Sequence, residues 1–211
     1  MQIKTFIFNP VQENTYVIFD ETSEAAIIDA GCCNETEQKQ LASFISYNNL
    51  KIKHLLNTHL HFDHQLGNYF AAKTFGALPE AHHEDVFMIE TLEESLNYFG
   101  FPLKTEKQPL GKELTENDVV TFGNTILQII HVPGHSPGSL CFYNQKDGVL
   151  FSGDVLFRGT IGRTDLPYGN YDELIAQIQK KLLVLPPKTV IYPGHGATTT
   201  IEFEKNSNPY L

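Results

Sequence analysis

The run Thr58-His59-Leu60-His61-Phe62-Asp63-His64 places four metal-capable side chains within six residues. Three imidazoles beside a carboxylate are borderline-to-hard donors, a set that suits zinc, manganese or iron. Directly before it lies the apolar run Ile52-Lys53-His54-Leu55-Leu56, which reads as a short buried strand. Directly after it, Leu66, Phe70 and Ala71 fall at helical spacing, so a helix is expected over Gln65 to Phe75. The cluster is therefore expected where a strand hands over to a helix, an open edge at which a rigid sheet can present side chains.

Three further apolar runs end in the same way, with a potential ligand beside glycine. His135 follows Val132-Pro133-Gly134, Asp154 follows Phe151-Ser152-Gly153, and His195 follows Tyr192-Pro193-Gly194. Glycine permits the tight turn and close backbone approach that such a strand end needs. If these ends converge, the available donors are His59, His61, Asp63, His64, His135, Asp154 and His195. One ion takes three or four protein ligands, so this set is sized for a metal pair.

The elements that must position these donors can be read in order. Gln2 to Phe8, Thr15 to Asp20 and Ala25 to Asp29 are strand-like and separated by turn residues, as in a meander. Asn34 to Tyr47 reads as a helix, with Leu41, Phe44 and Ile45 on one face. A second helical region is expected over Pro79 to Phe99, and a loop or lid over Gly100 to Gly111. Val119 to Phe122, Thr125 to Val132, Ser139 to Tyr143 and Val149 to Phe151 form a second strand block. Arg158 to Asn170 is a glycine-rich loop. Asn170 with Glu173 then opens a helix that ends by Pro186-Pro187, and Thr189 to Tyr192 is the last expected strand. Strands followed by helix, twice, suggest two packed sheets with helices outside.

Composition narrows the function. The chain has 211 residues, 41% of them hydrophobic, which suits one globular domain over 1–211. A net charge of −10 repels phosphate backbones, so nucleic acid is not an expected partner. No apolar run approaches membrane length and no signal peptide is legible, so a cytoplasmic protein without membrane partners is expected. Cys32, Cys33 and Cys141 are odd in number and lack CxxC spacing, in keeping with a reducing compartment.

The pattern HxHxDH, followed by GH, GD and GH at strand ends, resembles the metallo-β-lactamase superfamily from Asn14-Thr15-Tyr16 to the C-terminus. The resemblance implies an α/β (α+β) fold, a four-layer αββα sandwich of two mixed β-sheets flanked by helices. It further implies that His59, His61 and His135 hold one divalent ion and that Asp63, His64 and His195 hold the other. Asp154 bridges them, and Asp29 supports the metal-binding loop from behind. Zinc is the first expectation for both ions, with iron or manganese also suited. Zinc β-lactamases commonly carry Cys at the Asp154 position, and flavodiiron relatives carry Glu at the His61 position, which disfavours both.

The runs Gly153-Asp154-Val155-Leu156-Phe157 and Gly162-Arg163-Thr164-Asp165, with the tail Glu204 to Leu211, are similar to short bacterial glyoxalase II-type hydrolases. By that likeness Arg163 contacts glutathione. The chain stops at Leu211, short of the helical arm of the long enzymes, and Ala197 stands where those tend to have Tyr. Persulfide dioxygenases share the Gly-Arg-Thr-Asp run and use a single iron.

The expected reaction is hydrolysis of a small, glutathione-linked or other thioester by a water that two cations acidify. Asp63 orients that water, and Arg163 and Tyr168, with Arg158 behind them, are candidates for binding a substrate carboxylate. The alternatives are a mononuclear-iron persulfide dioxygenase, a lactonase and a non-catalytic metal-binding module. Blander roles are expected elsewhere. His54 and His131 read as hydrogen-bonded core residues and His82-His83 as a solvent face. Cys141 reads as a small core residue, and Cys32 and Cys33 as non-catalytic. Phe87, Met88 and Phe99 read as core more readily than as substrate pocket, although their helical region could roof the site. Ser136 and Ser139 have no evident base.

Overall fold

The computed structural model describes residues 1–101, 103 and 105–211. An antiparallel meander opens the chain: β1 (Gln2–Phe8), β2 (Glu13–Phe19) and β3 (Glu24–Ile28). Helix α1 (Glu35–Tyr47) starts at Asn34, whose side chain accepts the N–H groups of Thr36 and Glu37. Those donors have no partner within the helix, so the cap fixes its start. The chain then returns as β4 (Lys51–Leu56), parallel to β3.

Two departures from the expected elements follow. The helix expected over Gln65 to Phe75 is two short helices, α2 (Phe62–Gln65) and α3 (Asn68–Phe75). Between them the Gly67 N–H donates to the Ala30 carbonyl at 2.6 Å, against the Cys32 sulfur, so the chain turns where a Cβ would collide. The expected helix over Pro79 to Phe99 begins as strand β5 (Pro79–Ala81), parallel to β4. Proline is tolerated at the first residue of a strand, which explains the misleading punctuation. A 3-10 turn (His83–Asp85), α4 (Phe87–Glu90) and α5 (Leu92–Tyr98) complete the region. The expected loop at Gly100 to Gly111 includes Pro102 and Lys104, which lie outside the described residues; β6 (Lys112–Glu113) follows it.

The second sheet contains β7 (Val119–Phe122), β8 (Thr125–His131), β9 (Leu140–Asn144) and β10 (Val149–Gly153). A small hairpin, β11 (Leu156–Phe157) and β12 (Thr160–Ile161), begins before the expected glycine-rich loop and extends into it. Helix α6 (Tyr171–Gln177) is capped by Asn170, which accepts the Glu173 N–H, and continues into a π-helical segment, Ile178–Leu182. Strand β13 (Val190–Pro193) lies parallel to β10. Beyond it come β14 (Thr199–Thr200) and α7 (Ile201–Ser207), capped by Thr200.

The two six-stranded sheets run β1-β2-β3-β4-β5-β6 and β14-β13-β10-β9-β8-β7, each mixing parallel and antiparallel pairs. Strand β2 shows why they pack in four layers. Tyr16 and Ile18 point between the sheets, into a core with Phe122, Leu127, Phe142 and Phe151. Val17, one residue out of phase, faces Leu41 and Ile45 of α1, as a period of two demands. On the far side, Leu174, Ile178 and Leu182 cover Cys141, Leu150 and Ile191 of the second sheet. The C-terminal ends of β4, β8, β10 and β13 then open at one edge of the sandwich.

Candidate metal centre

At that edge the structure brings all seven expected donors together. Nε2 of His59 and Nδ1 of His61 approach Nε2 of His135 at 3.2 Å and 2.9 Å. Opposite them, Asp63 Oδ2 lies 3.1 Å from His195 Nε2 and 3.6 Å from His64 Nε2. Asp154 stands between the two groups. Its Oδ1 faces His64 Nε2 at 3.4 Å, and its Oδ2 faces His135 Nε2 at 3.7 Å and His195 Nε2 at 3.6 Å. Among the described residues, His64 Nε2 and Asp154 Oδ1 are buried without a hydrogen-bond partner. An unpaired buried polar group costs about 1–3 kcal/mol, so orphaned atoms facing one another mark where a cation fits. The donors are clustered as a two-metal set.

The supports are legible one bond further out. Asp29, with φ of 52°, accepts from the Thr58 backbone N–H at 2.7 Å and from its hydroxyl at 2.7 Å. The same carboxylate lies 3.1 Å from His64 Nδ1, and the Thr58 hydroxyl lies 3.1 Å from His59 Nδ1. One carboxylate thus orients a ligand in each group, the role that outer carboxylates play at metal sites. Backbone carbonyls do the rest. His135 Nδ1 donates to the Arg163 oxygen at 2.8 Å, and His195 Nδ1 lies 3.1 Å from the Val11 oxygen. Gly194 has to be glycine, because a Cβ there would meet the Asp154 carboxylate and the His64 ring.

Electrostatics divide the donors. Burial, reinforced by neighbouring imidazoles, pushes His59 well below the usual histidine range and His61 down to about 3, so both rings are neutral. Burial also opposes charge on His64, but the carboxylates of Asp63, Asp154 and Asp29 outweigh it and raise its pKa well above normal. Burial would raise Asp154, yet His64, His195 and His135 hold it well below the usual carboxylate range.

Other expected residues fall in varied places. Arg163 is one of the walls of a cavity of about 340 Å³ over the cluster, but its guanidinium is held by Asp165 through bonds of 2.8 Å and 2.7 Å. Tyr168, 68% exposed, packs on Phe87 at the adjoining cavity of about 470 Å³. Arg158 lies over the Phe203 ring and lines neither cavity. Phe87, Met88 and Phe99 do line this space, so the helices of 87–98 roof the site instead of serving only as core. His54 bonds Glu80 at 2.6 Å as expected but is only partly buried, between exposed Lys53 and buried Leu55, while Cys141 is fully buried as expected.

Two residues escaped the sequence reading. Glu13 is fully buried, accepts from Thr15 and has its carboxyl raised by burial. Asp85 accepts from Ser136 and from the Gly138 N–H at 2.8 Å and 2.7 Å, and from the Leu60 N–H at 3.3 Å. It thereby ties the loop of His135 to that of His59 and His61. Glu13 opens a strand with no ligand-like neighbour, and Asp85 stands behind His82-His83-Glu84, a polar run that read as a solvent face.

Comparison with known proteins agrees with this geometry. The family profile described as the Metallo-beta-lactamase superfamily matches residues 8–195. The chain is 38% identical to the hydroxyacylglutathione hydrolase GloC of Haemophilus influenzae, covering 100% of this chain and 98% of that one. Among solved structures it is similar to the B3 metallo-beta-lactamase BLEG-1, with a TM-score of 0.89, 37% identity and coverage of 100% and 99%. It is also similar to TTHA1623 in a di-iron-bound form, with a TM-score of 0.86, 34% identity and full coverage of both chains.

Proposed function

The chain belongs to the metallo-beta-lactamase superfamily, and from that footing we propose that it is a thioester hydrolase of glyoxalase II type, a single domain carrying two divalent ions, zinc foremost. The observation that carries this reading is the pair of orphaned buried atoms, His64 Nε2 and Asp154 Oδ1, inside a seven-donor cluster. Bound ions there supply an acidified water and a polarised carbonyl. His59, His61 and His135 would hold one ion and Asp63, His64 and His195 the other, with Asp154 between the two groups. Asp63 is the residue proposed to orient the attacking water, since its Oδ2 already faces two of the second group's nitrogens.

A thioester suits a site with no evident general acid. A thiol leaves with a pKa of about 8.5 and departs as thiolate without a dedicated proton donor. Serine and cysteine chemistry finds no support: Ser136 and Ser139 bond each other and Asp85, and burial raises the Cys32 and Cys33 thiols. The activity named for GloC supports a glutathione-linked substrate. Arg163 is the proposed contact for its carboxylate, in competition with Asp165, and Tyr168 lines its path. Three free cysteines support a reducing, cytoplasmic setting. No helix among the described residues is long and apolar enough to cross a membrane.

Turnover of S-lactoylglutathione, followed by loss of thioester absorbance with and without chelator, tests the reading. Fast, chelator-sensitive turnover is expected. No turnover by metal-replete protein would sink the glutathione version. A second reading, β-lactam hydrolysis, is favoured by the 37% identity to BLEG-1; a chromogenic cephalosporin run in parallel separates the two.

A further inference from the structure

His82, expected on a solvent face, is 5% exposed, and its ring stacks on that of His131 with centroids 4.3 Å apart and planes 14° from parallel. Both rings turn a nitrogen toward one carboxylate oxygen. Glu84 Oε2 lies 3.6 Å from His82 Nδ1 and 3.8 Å from His131 Nε2. One donor atom from each residue lies within 4.8 Å of the other two. Zinc–nitrogen and zinc–oxygen bonds of about 2.0–2.2 Å put tetrahedral donors roughly 3.3–3.5 Å apart, so Glu84 Oε2 is within a few tenths of an ångström of that spacing from either ring, and the stacked rings turn to bring both nitrogens onto one ion. We propose that His82, Glu84 and His131 form a third divalent-cation site, separate from the seven-donor centre, that takes zinc or a similar borderline ion.

The donors are in suitable states. Burial and the neighbouring His131 and His83 rings hold His82 down at about 4, so the ring is neutral at pH 7. Its Nδ1 accepts a long 3.3 Å bond from the Glu84 N–H, a weak contact that an ion would displace. The Glu84 side chain is 46% exposed and free to swing inward. His131 Nε2 donates to the Pro137 carbonyl at 2.7 Å, so binding requires the tautomer with its proton on Nδ1 and leaves the carbonyl beside the ion as a further oxygen donor. Lys181, beside this strand, bonds the His131 carbonyl at 2.7 Å and is paired with Glu116 at 2.8 Å.

The location gives the site a purpose. His82 follows β5 of the first sheet, and His131 ends β8 of the second. An ion here joins the sheets beside Asp85, which ties the loops of His59, His61 and His135. It acts as a staple behind the catalytic edge, binding the folded chain alone and stabilising it by mass action.

The test is a zinc titration of the zinc-loaded full chain, with metal counted per chain and thermal midpoint followed. One equivalent beyond the centre's own content is expected, with a rise in midpoint. The double variant Glu84→Gln, His131→Gln should lose that one equivalent and the midpoint response while its turnover stays within about twofold of wild type. Glu84→Gln alone, at an exposed position, should weaken the third ion about tenfold, and His83→Ala should retain it. Equal stoichiometry in wild type and double variant, or loss in His83→Ala, would overturn the assignment. The readout is a difference in metal count, so it stands whether or not a thioester is the substrate.

Discussion

The two ends of this sandwich are each organised around a buried aspartate, and the two aspartates are treated in opposite ways. At the end away from the metal centre, Asp20 joins the sheets. Its Oδ1 accepts from the Thr22 N–H at 3.0 Å and from the Thr22 hydroxyl, and its Oδ2 accepts from the Asn124 N–H at 2.7 Å and the Thr125 hydroxyl at 2.9 Å. At the other end, Asp154 has a buried oxygen with no such donor. Burial raises a carboxyl in both places, but at Asp20 hydrogen bonds overcome it and hold the group at about 2, whereas at Asp154 neighbouring imidazoles do so. A carboxylate satisfied by hydrogen bonds stabilises the fold, while one facing only ligand nitrogens is held ready for a cation.

The largest expected effect follows from removing that charge. Asp154→Asn should lower turnover on the order of 10³-fold and reduce bound metal, because the span between the two ligand groups loses its anion. The metal-free variant should lose some stability as well, because the imidazoles that depress the Asp154 pKa make its charge favourable in the fold, but that loss should be small beside the loss of metal. Metal analysis and thermal unfolding of the stripped proteins check this. A large loss of metal-free stability would break the contrast between the ends.

Asp29 should fall between the extremes, because it serves fold and centre together. Asp29→Ala leaves Thr58 and His64 without their acceptor and forces alanine into a left-handed backbone. Metal affinity should drop about 10- to 100-fold, read by competition with a chromophoric chelator, and stability should fall as well. Asp29→Asn, which tolerates that backbone, should recover most of the stability and less of the affinity.

At the far end, Asp20→Asn should cost about 1–2 kcal/mol at pH 7, allowing for solvent near the turn, with turnover unchanged. The sign is fixed by the depressed pKa. The carboxylate's contribution is complete above the unfolded value of about 3.9 and is lost as pH falls toward the folded value of about 2. Denaturant melts of the two proteins should therefore converge between pH 4 and 2.

What the sequence disclosed and what it hid divide along the same physical line. The candidate donors were legible because four cluster within His59 to His64 and the other three each follow an apolar strand and a glycine, a local pattern, and the structure brings all seven together. The layers were legible from strands followed by helix, twice, and from the family resemblance, while the facing of Tyr16, Val17 and Ile18 to opposite layers is seen only in the structure. Hidden were features decided across the chain: the break at Gly67 against Ala30 and Cys32, the strand at Pro79–Ala81, and Asp85, whose partners lie 25 to 53 residues away. The stacking of His82 on His131 was equally invisible, since nothing near either histidine names the other. Met88 and Phe99 could not be assigned to core or roof from sequence, because an apolar helix face reads alike whether it covers core or cavity; Met88 does both.

The smallest expected effect concerns Arg163, whose backbone and side chain do different work. Its carbonyl accepts from His135 Nδ1, so the main chain orients a metal ligand whatever side chain the position carries. Its guanidinium is 52% exposed and already paired with Asp165, an arrangement that contributes little at a solvated surface. Arg163→Ala should therefore leave metal content and kcat nearly unchanged and raise KM for a glutathione thioester only a few-fold. Asp165→Asn, which frees the guanidinium, should lower KM for the same anionic substrate and leave a neutral thioester unaffected. Steady-state kinetics with the two substrates check both. A large fall in kcat for Arg163→Ala would place the guanidinium among the groups that touch the reacting atoms and move it from the satisfied class of charges to the poised one.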